Sequence, residues 1–273
     1  MSEVSSHRDG AHTLPALPAS LHAEQRGDIL LIRLNRPQKR NALNDETVLG
    51  LEVLFDALPK DVKAAVLHGD GDHFSAGLDL SELRQHSVEE AVRHSSSWHR
   101  ILNKIEFGPV PVVAALHGAV VGGGLELAAT AHVRVAERSA FYALPEGIRG
   151  IFVGGGGSVR IPRLIGASRM MEMMLTGHVL SSEEGQAFGI SHYLVEPGAG
   201  LAKALELAGK IAKNAWATNF GVIQALPRIA EQDPAAGYVM EALMAAISSS
   251  GDEAKTRVKA FLEKRAPKVS SKN

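Results

Sequence analysis

The chain contains no cysteine. Disulfides, thiolate metal sites and a cysteine nucleophile are excluded together, and the lack fits a reducing compartment. An excess of charge of one sign is also missing: 29 basic against 30 acidic side chains leave a formal net charge of -1. There is thus no global basic field to hold nucleic acid. With aromatics at 5%, there is no basic stripe interleaved with stacking rings either. No apolar run approaches the ~18 residues of a membrane span. The first twenty residues hold Glu3, Arg8 and Asp9 among Pro, Ser and His. They lack the apolar segment of a signal peptide and the basic excess of a transit peptide. Twelve histidines are present, yet none forms a ligand spacing with another histidine or a carboxylate, so no metal is expected. These absences predict a cytoplasmic protein that engages neither membrane nor nucleic acid, behind a loose tail at residues 1–19.

The composition that remains is ordinary for a globular protein, 45% hydrophobic and 22% charged, in 273 residues that can bury a substantial core. Leu21–Glu24 and Asp28–Leu34 read as two strands joined by a turn at Gln25-Arg26-Gly27. Asn35-Arg36-Pro37 breaks the pattern, and a helix follows Asn44 with Val48, Leu51, Phe55 and Leu58 at helical spacing. Ala64–His68 is a short buried strand. A capping box, Ser87-x-x-Glu90, opens a helix to about Phe107. Pro109–Leu116 is the next apolar strand, Gly122-Gly123-Gly124 leads into a helix near Leu125, and Val133–Ala136 is another strand. Strand, loop and helix recur at irregular spacing, which predicts an α/β core over residues 20–200. From Leu201 the strands stop. Leu201–Asn214, Asn219–Arg228, Pro234–Ser248 and Asp252–Arg265 read as helices. The third is capped by Asp233 with Pro234 in its first position, and the fourth opens on Ser250-x-x-Glu253. Residues 201–273 are expected to form a helical region suited to oligomer contacts.

Two loops carry the candidate chemistry. Phe74-Ser75-Ala76-Gly77-Leu78-Asp79-Leu80 and His117–Ala128 each follow a buried strand and place glycine where the chain leaves the sheet. That is a common ligand position in α/β folds. Glycine there lets a substrate approach the backbone, and Gly123 opens a helix whose first N–H groups lack intrahelical partners. One N–H from each loop, converging on a carbonyl oxygen, would make an oxyanion hole; losing one such donor costs ~3–4 kcal/mol. A glycine cluster before a helix is also a common packing device. A phosphate loop fits poorly, because Gly122–Gly124 and Gly154–Gly157 lack the Gly-Lys-Ser/Thr ending. Glu126 stands in the first turn of that helix, where a carboxylate also serves simply as a dipole partner. Glu146 follows Pro145 among apolar neighbours; desolvation there would raise its pKa toward proton-transfer range, whereas a water-facing turn carboxylate would stay unperturbed.

Together these segments resemble the crotonase (enoyl-CoA hydratase/isomerase) superfamily over residues 20–267. Asn35-Arg36-Pro37-x-x-Arg40-Asn41-Ala42-Leu43 is similar to its N-terminal signature. Phe74–Asp79 is similar to its first oxyanion loop and Gly122–Ala128 to its second. Phe141–Gly150 matches its second carboxylate segment. Gly155–Arg163, Gly166, Leu175-Thr176-Gly177, Ala187-x-Gly189 and Phe261–Pro267 follow in the expected order. The resemblance implies a spiral of repeated β-β-α units with a helical C-terminal region. It also implies an oxyanion hole from the N–H groups of Leu78 and Gly123. In hydratases of the family the residue matching Glu126 activates water and the one matching Glu146 exchanges the proton at C2; both are present, twenty positions apart. Contacts to the coenzyme A portion are implied for Ala76, Gly122, Lys39 and Arg40. No separate cofactor is implied, because coenzyme A is part of the substrate. The implied role is enoyl-CoA hydration in fatty acid metabolism, by a homotrimer or dimer of trimers. Isomerisation, thioester hydrolysis and retro-addition cleavage are alternatives on the same scaffold, as is a non-catalytic CoA- or RNA-binding member. Two residues depart from the family: His132 stands at a usual Asp, where it reads as structural, and Val153 at a frequent Pro.

Overall fold

A computed structural model describes residues 14–82 and 87–266 of the chain. The expected hairpin is formed by β1 (Leu21–Arg26) and β2 (Ile29–Leu34), which turn at Gly27. Residues 1–13 of the expected tail lie outside the described residues, while Leu14 and Leu17 pack on the core. Asn44 caps α1 (Asp45–Asp56), its side chain accepting from the Thr47 N–H at 3.1 Å. Val48, Leu51, Leu54 and Phe55 give that helix its buried face. After β3 (Ala64–Gly69), α2 (Val88–Glu106) opens on the Ser87–Glu90 capping box. The chain continues through β4 (Val112–Leu116), β5 (Ala119–Val121), α3 (Gly123–Ala128), β6 (Val133–Glu137) and β7 (Phe141–Ala143). Next come α4 (Gly157–Ile165), α5 (Ala167–Thr176), β8 (Val179–Ser181), α6 (Ser182–Phe188), β9 (Tyr193–Val195) and α7 (Gly200–Ile211).

Six strands form one sheet in the order β1-β2-β3-β4-β6-β9, parallel from β2 onward; β5-β7-β8 form a second. The strand pairs β4–β5 and β6–β7 each give one member to each sheet before a helix follows, the repeated β-β-α turn of a spiral. Alternation along the buried strands divides the core. Ala65 and Leu67 of β3 and Val112, Ala114 and Leu116 of β4 face the main core with α1 and α2. Ala64, Val66, Val113 and Ala115 face the other way, against Ala204, Leu207 and Ala208 of α7. Small residues on α7 let that helix lie close to the sheet.

The C-terminal region is helical, with α8 (Trp216–Phe220), α9 (Leu226–Ile229), α10 (Pro234–Ser250) and α11 (Asp252–Leu262). Two expectations need correction. The single helix read over Asn219–Arg228 is α8 and α9 joined by a π-type turn at Gly221–Ala225. Pro227 has no N–H to give the preceding turn, and its ring displaces a regular α-helical register. Ser250 does not cap α11. It ends α10, its hydroxyl donating to the Ile247 carbonyl at 2.9 Å, and Gly251 occupies the cap position. Asp233 does cap α10, accepting from the N–H groups of Ala235 and Ala236. Pro267, the end of the closing motif, lies outside the described residues.

Candidate active site

The two glycine-bearing loops meet between the sheets. Ser75 pairs with Val120, its N–H donating to Ala119 O at 2.9 Å and its carbonyl accepting from the Val121 N–H at 3.1 Å. Three residues on, Leu78 pairs with Leu43: the Leu43 N–H donates to Gly77 O at 2.7 Å and the Asp79 N–H to Leu43 O at 2.8 Å. Gly77 O and Asp79 N–H therefore face Leu43, and the Leu78 N–H points to the opposite edge. A Cβ on Gly123 would lie 3.3 Å from the Leu78 nitrogen, and one on Gly77 would lie 3.3 Å from the Gly123 nitrogen. Gly123 is the first residue of α3, a position with no intrahelical acceptor for its N–H. Neither N–H has a protein acceptor among the described residues.

Both glutamates border the same cleft, together with Leu78, Gly123, Trp98 and Phe152. Glu126, 4% exposed, gives Oε1 to two N–H donors, Gly155 at 2.8 Å and Gly157 at 2.7 Å. Burial raises its pKa above the ordinary carboxylate value, while those two donors, Arg160 and His99 restrain the rise. Glu146, 8% exposed, has an enclosed Oε2 with no hydrogen-bond partner among the described residues. Burial is the main cause of its raised pKa, and the charge of Glu126 adds to it. Gly122 makes room for this carboxyl. Its φ of 52° with ψ of -123° is a glycine conformation, and a Cβ there would lie 2.5 Å from Glu146 Oε1.

The remaining residues implied for coenzyme A, Ala76, Lys39 and Arg40, do not line this cleft. The Ala76 N–H donates to Arg40 O at 2.9 Å. Lys39 Nζ donates to Ser81 Oγ at 3.1 Å and lies 3.9 Å from buried Asp79; Arg40 is exposed. His132 supports the backbone rather than the chemistry. Its Nδ1 accepts from the Val112 N–H at 2.9 Å, which leaves Nε2–H to donate to Glu106 O at 2.9 Å. Val153 is buried and lines the cleft.

Sequence reasoning missed the residues that hold Glu126. In the sequence the run Gly154–Gly157 reads as a poor phosphate loop and, from Gly155, as part of the family match, whereas in the structure two of its N–H groups bind a carboxylate of the chain itself. Four consecutive glycines without a phosphate-loop ending were the available signal. Ser95, whose hydroxyl donates to Gly154 O at 2.6 Å, carried no such signal; Arg160, whose Nη1 donates to Gly155 O at 2.9 Å, lies in the family-matching Gly155–Arg163 segment, which gave no hint of its partners.

Paired loops, partnerless N–H groups and two enclosed carboxyls occur here together with a family-wide sequence match. The model of the Enoyl-CoA hydratase/isomerase family matches residues 24–272. The chain belongs to that family. A short-chain-enoyl-CoA hydratase of Clostridium acetobutylicum is 30% identical over 245 residues, 89% of this chain and 94% of that protein. The 2,3-dehydroadipyl-CoA hydratase of Escherichia coli K12 is 31% identical over 245 residues, covering 88% and 94%. A crystal structure of a candidate enoyl-CoA hydratase from Rhodopseudomonas palustris CGA009 is 58% identical, with a TM-score of 0.89 over 92% of this chain and 97% of the other. The fold is accordingly the crotonase fold, and the chain is an enzyme of the enoyl-CoA hydratase/isomerase family.

Proposed function

We propose that this enzyme adds water reversibly to a trans-2-enoyl-CoA thioester. The observation that carries the reading is the placement of Glu126 and Glu146 on one cleft beside the partnerless N–H groups of Leu78 and Gly123. Those two N–H groups hold the thioester oxygen and strengthen their hold as it becomes an enolate oxygen. Glu126, whose Oε1 accepts from two N–H donors that favour its charged form, takes a proton from water as the water oxygen bonds to C3. Glu146, whose pKa enclosure and the charge of Glu126 push upward, delivers a proton to C2. One proton is accepted and one given, so the product differs from the substrate by one water, and both carboxyls reset by exchange with solvent. Double-bond isomerisation asks for only one such carboxylate, so the presence of both favours hydration.

In this reading Ala76 O, Gly122 and the cations Lys39 and Arg40 serve the coenzyme A portion, and no separate cofactor takes part. The enzyme works as a homotrimer or dimer of trimers through the exposed apolar faces of its C-terminal helices, in the cytoplasm and in fatty acid metabolism. Among the described residues no helix is long and apolar enough to cross a membrane. The test is loss of the enoyl-thioester absorbance with crotonyl-CoA and longer, branched and aryl enoyl-CoAs, with the 3-hydroxyacyl-CoA product identified by mass. Turnover of any member supports the reading. Bound thioesters that are never hydrated would redirect it to isomerase, hydrolase or lyase chemistry on the same oxyanion hole.

A further inference from the structure

The tetraglycine segment is gripped from two sides. A Cβ on Gly155 would lie 3.2 Å from Glu126 Oε2, and one on Gly157 would lie 2.7 Å from Glu126 Cγ. On the opposite side Gly156, at φ 94°, leaves no room for a Cβ because Arg160 Nη1 occupies its place. The turn thus has N–H groups directed at Glu126 and a carbonyl, Gly155 O, directed at Arg160.

Arg160 is itself fixed from α2. Buried at 5% exposure, its guanidinium donates from Nε to Glu106 Oε2 at 2.5 Å and from Nη2 to Asn103 Oδ1 at 2.5 Å. Its third arm reaches Gly155 O. The planar fork of arginine can satisfy three acceptors in fixed directions, which a lysine ammonium on a flexible stem cannot reproduce. The same helix holds the start of the glycine run through Ser95. An unbroken path of hydrogen bonds therefore runs from α2, through Arg160 and the turn, to one oxygen of Glu126.

We propose that Arg160 is a positioning residue for Glu126, holding the Gly155–Gly157 turn so that two N–H groups fix one carboxylate oxygen and leave the other for the cleft. This rests on the reading of Glu126 as the base that activates water. Glu126 Oε2 has no protein partner among the described residues, which suits that role. The charged groups facing Glu126 are Arg160 from α4 and His99 from α2, with Glu146 acting across the cleft and Arg149 beside Glu146. Glu106 lies behind Arg160 and balances its charge.

The experiment compares wild type with Arg160→Met, Arg160→Lys and Asn103→Ala. Two readouts are taken: kcat and KM for crotonyl-CoA hydration across pH, and the titration of Glu126. The latter is followed by carbon NMR of protein labelled at the glutamate carboxyl and assigned by the signal missing from Glu126→Gln. In Arg160→Met, kcat should fall about 10- to 100-fold, the range expected when a reacting group is misplaced by ~1 Å, with KM within about threefold of wild type. The Glu126 midpoint and the acid limb of kcat should both move to higher pH, because a cation and two aligned donors are lost together. Arg160→Lys should restore most of the midpoint while recovering little of kcat, which separates charge from geometry. An unchanged Glu126 midpoint in folded Arg160→Met, or a raised KM at wild-type kcat, overturns the proposal. Where Arg160→Met does not fold, Asn103→Ala decides, since it removes one arm of the fork without stranding a charge. A fall of threefold or more in kcat at constant KM supports the proposal, and wild-type kcat overturns it. A wild-type enzyme that hydrates no enoyl-CoA would refute the activity, while the Glu126 titration would still decide the role of Arg160.

Discussion

At the scale of single residues, the site depends on what enclosure does to two carboxyls. Both have pKa values pushed up chiefly by burial, yet their surroundings differ: Glu126 receives two N–H donors, while Glu146 Oε2 receives none. The two donors favour the charged form of Glu126, whereas the Glu126 charge favours the neutral form of Glu146, the kind of difference that acid/base work uses. Replacing either with glutamine should lower kcat for hydration by about 10²- to 10⁴-fold, the usual worth of a positioned proton-transfer group. Near-normal turnover in both variants would refute the mechanism. Stability should move the other way in Glu146→Gln. A carboxyl whose folded pKa lies above its unfolded value stabilises the fold fully below the unfolded value, about 4.5, and loses that contribution as pH rises through the folded value. Glutamine has no such loss. The melting temperature of Glu146→Gln should exceed that of wild type at pH 8 and converge with it near pH 4; a lower value at pH 8 would contradict the enclosure argument. The sequence pointed to Glu126 in the first turn after a glycine run and to Glu146 after Pro145 among apolar neighbours, and the structure places both on one cleft. Arg160 was legible only as part of the Arg160-Ile161-Pro162-Arg163 motif; its placement was not, because a buried arginine and a surface arginine look alike until a partner 54 positions away, Glu106, is brought beside it.

At the scale of elements, local signals were readable wherever capping chemistry or strand alternation specified them. The Asn44, Ser87 and Asp233 caps and strands β2, β3 and β4 fall where the pattern puts them. The second sheet was not readable. Three strands of three residues each are too short for alternation to register, and they are defined by pairing with distant chain. That short sheet nevertheless places the Leu78 loop, through the Ser75–Val120 bridge. The other anchor of the loop is Asp79, which accepts from Arg36 at 2.8 Å and from the Ser81 hydroxyl at 2.5 Å. The Ser81 hydroxyl first, then Arg36, holds its carboxyl below the ordinary aspartate value, so the contribution of Asp79 to stability is complete at pH 7 and is lost only as pH falls below about 3.8. Asp79→Ala should therefore destabilise the enzyme at pH 7 by about 2–3 kcal/mol, the worth of hydrogen bonds to a charged group. It should also depress kcat by releasing the adjacent Leu78 N–H. Urea denaturation with steady-state kinetics checks both, and an unchanged midpoint with unchanged kcat would show that the Leu43–Leu78 bridge alone holds the loop.

At the scale of the whole molecule, three histidines tie separate strands to the loops behind them by the same device. Nδ1 of His73 accepts the Ala119 N–H at 3.0 Å, Nδ1 of His132 that of Val112 at 2.9 Å, and Nδ1 of His192 that of Arg134 at 3.1 Å. Protonation at Nδ1 removes each acceptor, and desolvation holds all three pKa values below 6.5. The unfolded chain then takes up protons before the folded one, so stability should fall as pH drops from about 6.5 through the folded values. Glu126 and Glu146 oppose this trend, so it is best measured in the Glu126→Gln/Glu146→Gln double variant; a urea midpoint equal at pH 5 and pH 7 would refute it. The proposed homo-oligomer asks for a surface that a second copy can cover. α10 runs for 17 residues yet buries only Gly237, and Val239, Leu243 and Ile247 form an exposed stripe at successive four-residue steps. Val258, Phe261 and Leu262 of α11 are also exposed. A second copy of the chain is the cover that the trimeric reading supplies. Leu243→Glu/Ile247→Glu places two charges on side chains already open to solvent within one chain, so the circular dichroism spectrum should be unchanged. Sedimentation should meanwhile move from three or six chains to one, because two carboxylates would have to be desolvated at the subunit contact. Wild-type protein that sediments as one chain, or a double variant that stays assembled, would place the subunit contact elsewhere or remove it.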